Sequence, residues 1–499
     1  MSWFGLPLPG PATGQTVDFT AGELPPLPAP DVRAASELDG GKLLAHVVRL
    51  CEFSEVSRSA GERLWGRLAG TPAADRAVDY VAERLGEVGI STERIPIPFT
   101  RIFHPIDWSL ELLPHPDLAE GSRIELQSAV PMEVAGSTDR AAGGTPGPAR
   151  GTGDAPSVVD VTAQLVYVGE ALPVEIATRD IAGKVAVMTV NAAPSSFYQM
   201  THVRTAALRD AGAVGIIAIY DLPGNLQFVG GSIPADVPGF HIGGRDGAFI
   251  QAIIAKASTV GRAAAVRARL RIEWEAPRSL TATALLGRIP GSDGDRSIIL
   301  SAHSDSFFGG ADDNATGVAA LIGLARHYVA NPPRHDLHVF LGPGHHHSTG
   351  GMAALASLIP DVSTDVALAI NLEHIALTQV HPSYMLRDDD GYGRLRPRLM
   401  PTGWDSPGRE ITVSNESETL LRAIATSAAE SMFSAPTHIA RPAIAEPWAL
   451  AALGIPCIQT VETGPWFHTS GDEPATIGAE SLQRAVLFFQ TLLDHVDHT

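Results

Sequence analysis

The sequence predicts an α/β protein: a mostly parallel sheet sandwiched by helices, interrupted by an inserted, β-rich α/β domain. Three observations predict it. The chain has 499 residues, more than one ordinary domain holds. From Ser297 onward, short apolar runs of strand length alternate with amphipathic text of helix length, the pattern of a parallel sheet covered by helices. Before that, residues 135–275 break the pattern with a stretch rich in small and breaker residues, then text dense in strand formers.

Residues 1–40, rich in Pro and Gly, read as an irregular N-terminal arm. "KLLAHVVRLCEF" and "PAADRAVDYVAERLGEVG" space apolar residues by three and four and predict two helices, the second closed by Gly89. "STERIPIPF" alternates as a strand does. The 41–134 stretch therefore reads as the first part of a discontinuous domain that resumes at 276–499. Residues 135–158 read as a linker, followed by an insert carrying "AQLVYVG", "KVAVMTV", "HVRTAALRDAG" and "AVGIIAIY". Beyond it come "SIILSAH", "GVAALIGLARHYVA", "LHVFLGP", "GGMAALASLI", "VALAINLEH", "SETLLRAIATSAAE", "IPCIQTV" and "LQRAVLFFQTLLDHV".

A net charge of -19 argues against nucleic acid as partner, because phosphate would be repelled. No apolar run approaches the roughly 20 residues of a membrane helix. "MSWFGLPLPGPATG" lacks the basic start of a secretory signal, so the expectation is a soluble cytoplasmic protein. A homo-oligomer is compatible with the sequence. Only three lysines occur, an arginine preference typical of GC-rich bacterial coding sequence. Two cysteines, Cys51 and Cys457, are too few for a disulfide framework. Cys457 sits in an apolar run and reads as a buried small hydrophobe.

Ligands in open parallel sheets bind beyond the carboxyl ends of the strands, and here those ends carry metal-binding residue types. "SIILSAHSDS" delivers His303 and Asp305. "GGADDNATG" carries Asp312 and Asp313 ahead of a helix. "LGPGHHH" supplies His345, His346 and His347. "INLEH" ends in Glu373 and His374, and "TVETGPWFHTSGDE" supplies His468. Singly, each has a plainer meaning: a strand-end histidine is usually a satisfied polar group, and "ADDN" makes an ordinary helix cap. Together they are donors of the kind that hold Zn2+ and related divalent ions.

In order and type these motifs resemble those of the co-catalytic zinc aminopeptidases of the M28 family. The matching text is "HSD" at 303–305, "DDNATG" at 312–317, "GHHHSTGG" at 344–351, "NLEH" at 371–374 and "HTSGD" at 468–472. "AEPWALAALGIPCIQT" resembles the penultimate segment of that family. The 160–275 text resembles its protease-associated insert. The resemblance implies one or two zinc ions, with Asp312 bridging, His303 and Glu373 on one ion, and His346 with His468 on the other. Asp305 would support His303. His347, His374, Asp313, Glu446, Trp466 and Phe467 are candidates for the surrounding layer or for substrate contact.

The family's two glutamates, a general base and a metal ligand, fall here on His345 and His346, or on His346 and His347 if the alignment slips by one. His346 would keep the ligand role, and His345 would serve as base. With fewer carboxylates facing two dications, the second ion is expected to bind less tightly. Phe467 stands where many relatives carry a tyrosine that stabilises an oxyanion. The expected function is a metal-dependent hydrolase of a peptide or amide bond, taking a small molecule or short peptide. A metalloenzyme acting on non-peptide amides or esters, and a catalytically silent binding protein, are the alternatives. The loop 386–404, rich in Arg with Tyr and Trp, is a candidate pocket wall.

Overall fold

The computed structural model describes residues 35–101, 104–114, 123–134, 157–191, 194–261, 266–293, 296–347, 351–362, 365–383, 398–406, 409–414, 417–433, 435–439, 446–462 and 464–498, with the backbone of 2–3 and 6–7. Most of the expected N-terminal arm and most of the 386–404 loop lie outside the described residues.

Two eight-stranded sheets organise the chain. The first runs, edge to edge, Thr437–Ile439, Arg409–Val413, Cys457–Glu462, Val366–Asn371, Ser297–His303, Asp336–Gly342, Arg278–Ile289 and Thr92–Arg101. Its four middle strands, from Cys457–Glu462 to Asp336–Gly342, are mutually parallel. Arg278–Ile289, Thr92–Arg101 and Arg409–Val413 join antiparallel, so the parallel core expected from sequence is framed by antiparallel edges.

Side-chain alternation divides this sheet's residues between two cores. Ile298, Leu300 and Ala302 face the helices Gly40–Ser59, Pro72–Gly86, Gly317–Ala330, Glu418–Ser431 and Ala479–Asp497. Ile299, between them, faces Met352, Leu355 and Ile359 of the helix Gly351–Val362 on the opposite side. Burial on both faces explains why these strands read as continuous apolar runs. Each large aliphatic side chain buried this way contributes about 1.5–3 kcal/mol.

Local signals set the helix ends. Asp39 accepts from the Lys42 amide at the start of Gly40–Ser59, and Thr71 accepts from Ala74 before Pro72 opens the next helix, both N-caps that satisfy otherwise orphaned donors. Gly317 begins the central helix where a Cβ would lie 2.1 Å from the Leu372 carbonyl oxygen. Only glycine lets this helix approach the end of Val366–Asn371 so closely.

The second sheet runs Ile124–Glu125, Pro105–Leu112, Arg267–Trp274, Ser157–Tyr167, Val185–Asn191, Gly215–Asp221, Gly239–Gly243 and Val130–Pro131. The insert is therefore wider than the 135–275 read from sequence. Pro105–Leu112 pairs along its length with Arg267–Trp274, and Val130–Pro131 pairs with Gly239–Gly243. The chain crosses between sheets after Arg101 and returns between Trp274 and Arg278. The breaker-rich text at 135–156 misplaced that boundary because it interrupts the insert from within.

Candidate metal centre

The carboxyl ends of the four parallel strands converge their ionisable groups on Asp313. His303 ends Ser297–His303, the three-histidine turn follows Asp336–Gly342, Glu373 and His374 follow Val366–Asn371, and His468 follows Cys457–Glu462. Around the Asp313 carboxylate, Oδ1 lies 3.2 Å from His303 Nε2, 3.2 Å from His374 Nε2 and 3.5 Å from His346 Nε2. Oδ2 lies 3.0 Å from His468 Nε2.

The carboxylate that faces the imidazoles is thus that of Asp313, one residue beyond the Asp312 expected from sequence. Between Gly310 and Gly317 the backbone leaves helical geometry at Asp313 and Asn314, and this turns Asp313 to the imidazoles. Asp312 is buried beside Glu462 and Asp472. Burial first, then these carboxylates, hold its pKa well above the usual range. It lies at the back of the loop, away from the imidazoles that face Asp313. His374, assigned from sequence to the surrounding layer, stands in the inner group. Asp472 accepts hydrogen bonds from the amides of Asp312 and Asp313, at 2.8 and 3.1 Å, and fixes the loop.

Asp305 also differs from expectation. His303 Nδ1 donates to the backbone carbonyl of Asp305 at 3.0 Å, whereas the carboxylate is 3.7 Å away. The carboxylate instead accepts the amides of Gly344, His345 and His346, at 2.8, 3.0 and 3.0 Å. Burial opposes its charge, but the surrounding histidines outweigh that and keep it ionised well below the usual carboxylate range. Its side chain shapes the histidine turn.

His345 stands beside the centre. Its ring stacks on His303, with centroids 4.4 Å apart. Nε2 faces Glu373 Oε1 at 3.5 Å and Nδ1 faces Glu446 Oε1 at 3.6 Å. Burial and His303 push its pKa down, but Glu373 and Glu446 outweigh both and raise it to about 9 before any ion binds. Asn371 Nδ2 donates to both glutamates, at 2.9 and 3.1 Å, and so sets the acidic pair around the ring.

The donor chemistry fits a metal. Among the described residues, the Nε2 atoms of His303, His346 and His374 make no hydrogen bond of proper geometry although all are buried. A single carboxylate oxygen cannot satisfy three imidazoles at once, and imidazole lone pairs with carboxylate oxygens are what Zn2+ takes. Three groups of donors lie within 4.8 Å: Asp313, His346 and His468; His303, Asp313 and His374; and His303, His345, Glu373 and Glu446. Because His303 Nδ1 is committed to the Asp305 carbonyl, its one remaining lone pair serves one ion at a time. The second and third groups are therefore alternatives.

Phe467 stacks on His468, with centroids 3.8 Å apart, and lies 5.1 Å from His374. It shields the centre but brings no hydroxyl. Trp466 packs in the large core and Trp448 lies on the surface. The His347 side chain lies outside the described residues.

Sequence reasoning missed Arg67. It is fully buried and donates to the carbonyls of Ser304, Leu50, Gly309 and Gly310 and to Ser54 Oγ. It ties the first helix to the loop that leads into Asp313. Nothing in "LWGRLAG" signals this, because a lone arginine between apolar residues reads as a surface group.

Residues 284–492 match the family model of peptidase family M28. No curated protein matches the chain. Among solved structures, the chain is similar to a peptidase M28 precursor from Shewanella amazonensis SB2B (17% identity, TM-score 0.60, covering 92% of this chain and 96% of that one). It is similar also to a zinc aminopeptidase from Bacillus subtilis (15%, 0.56, 91% and 94%) and to an aminopeptidase from Aneurinibacillus sp. strain AM-1 (17%, 0.52, 92% and 95%). The sequence match covers every strand end that faces Asp313, and the shared architecture extends over both sheets. The segment that carries these histidines is thus the one similar to peptidase family M28.

Proposed function

We propose that this chain is a metal-dependent hydrolase of the aminopeptidase type, which cleaves a peptide or amide bond in a small molecule or short peptide with His345 as general base. The observation that supports it is the converging set of imidazoles on Asp313, with His345 held at its flank between two glutamates. Asp313, His346 and His468 would hold one ion. Asp313, His303 and His374, with Glu373 3.7 Å from His374, would hold the other. Divalent ions bound there supply a Lewis acid for the scissile carbonyl and acidify water.

The chain's own residues do the rest. Beside divalent ions, which offset the two glutamates, the His345 ring would be favoured in its neutral form. With Nδ1 turned to Glu446, it would then present Nε2 as the proton acceptor, and Glu446 would stabilise the imidazolium once the proton arrives. Glu373 lies next to both His345 and the second ion position and orients the exchange. Phe467 excludes water from one side of His468.

A second reading, hydrolysis of esters or non-peptide amides, is favoured by Phe467 itself, which offers no hydrogen bond to an oxyanion and so makes a difficult amide a poorer substrate. Elemental analysis of untagged protein, together with turnover of aminoacyl anilides beside simple esters, tests both. We expect bound zinc and anilide cleavage. Ester cleavage alone selects the second reading, and protein that binds no divalent ion rules out both.

A further inference from the structure

We infer that the insert is a working part of the metal centre: its Gln227–Val229 segment positions His468 and thereby tunes one of the two ion positions. The inference rests on the metal-centre reading above. His468 lies beyond the last parallel strand with φ +55, a left-handed conformation that costs a non-glycine residue energy unless its surroundings enforce it.

The insert supplies that enforcement. Phe228 and Thr469 form an antiparallel bridge. The Val229 amide donates to the His468 carbonyl at 3.0 Å, the Ser470 amide donates to the Gln227 carbonyl at 2.9 Å, and the Gln227 amide donates to Ser470 Oγ at 3.1 Å. His468 Nδ1 in turn donates to the Val229 carbonyl at 3.1 Å. That bond fixes the ring's tautomer and leaves Nε2 as the lone pair aimed at Asp313, the orienting role that outer partners play for metal-binding histidines.

The segment is anchored in the insert's core. Phe228 stacks on Tyr220, with parallel rings 4.3 Å apart, and meets His241 edge-on. His241 Nε2 donates to the Gly230 carbonyl. Tyr220 reaches back across the junction and donates its hydroxyl to the Pro465 carbonyl at 3.0 Å. His303, by contrast, is oriented from within its own loop by the Asp305 carbonyl. Disturbing the insert should therefore weaken the ion held by Asp313, His346 and His468 and spare the other.

Cobalt(II) titration of chelator-stripped full-length protein, followed by visible absorption, resolves the two positions. We expect two ions in the wild type. Val229→Pro, which removes the amide paired with His468, should raise one dissociation constant about 10–100-fold and leave the other unchanged. Thermal unfolding checks that the variant folds. If it does not, Tyr220→Phe and Ser470→Ala each remove one anchor and should weaken the same ion about fivefold. Equal weakening of both ions, or no change in any folded variant, overturns the inference while the metal centre stands. A wild-type protein that takes up no cobalt overturns the metal-centre reading, and this inference with it.

Discussion

Both sheets hold four parallel strands at their middle, yet among the described residues only one gathers donors that could hold a metal. The insert's strands end in residues such as Asp221, which is exposed, and Gly243. Among its described residues the one fully buried histidine, His241, lies within a strand, where Nε2 meets the Gly230 carbonyl and only Nδ1 lacks a partner. In the other sheet, the Nε2 atoms of His303, His346 and His374, beyond the strand ends, are buried around one carboxylate without proper hydrogen bonds. Parallel topology supplies a crevice in both. What distinguishes them is that one crevice collects more buried donors and charges than its residues can satisfy mutually, a surplus that calls for a cation.

The sharpest break of this comparison is at Asp313. Asp313→Asn should abolish uptake of both ions and lower turnover by about 10³-fold or more, since the Lewis-acid contribution is worth several kcal/mol. Asp312→Asn should change either quantity far less, because its side chain lies beside Glu462 and Asp472 and belongs to none of the donor groups around the imidazoles. Metal content of the two variants side by side decides which aspartate bridges.

The three-histidine turn gives the next largest effect. His345→Ala should cost about 10²–10⁴-fold in turnover, the range for a general base, with metal content near normal. His346→Ala should lose one ion. If His345→Ala removes an ion, the ring is a ligand in the group with Glu373 and Glu446, and the base assignment fails.

How much of this was legible depended on how local each signal was. Period and turn residues exposed the strands and helices around Ser297–His303 and Gly317–Ala330, and the strand-end rule located the crevice. The choice between Asp312 and Asp313 was not legible, because a non-helical turn decides it and both aspartates satisfy the same motif. Neither was the carboxyl boundary of the first segment, since Pro105–Leu112 finds its partner Arg267–Trp274 more than 150 positions away. His374 at φ +47 turns toward Asp313 against its own backbone preference, which no propensity announces. Glu446 shows how the acid missing from the histidine turn returns: it comes from a distant segment and reaches the site through Asn371.

Asp305 sharpens the picture of support within the first sheet. Asp305→Asn replaces one acceptor oxygen by a donor group facing the amides of the histidine turn. It should loosen His345 and His346 together and weaken ion binding about 10–100-fold, the usual cost of losing an outer partner. Unchanged cobalt affinity and turnover would show that the turn holds its shape without the carboxylate.

The smallest effect tests the insert's own histidine. Burial lowers the His241 pKa from 6.5 to about 4 in the folded chain, partly opposed by the Gly230 carbonyl. As pH falls below 6.5 the unfolded chain binds the proton first, so stability drops until about pH 4, where the folded chain binds it too and the loss levels off. The slope is about 1.4 kcal/mol per pH unit, or about 3 kcal/mol over the whole window. Urea unfolding at a series of pH values, followed by fluorescence of the insert's Trp108 and Trp274, should show this slope in the wild type and a flatter one in His241→Asn. Equal slopes in the two proteins would mean that burial does not depress the His241 pKa in the folded insert, and the contrast between an isolated and a clustered histidine would lose its reference.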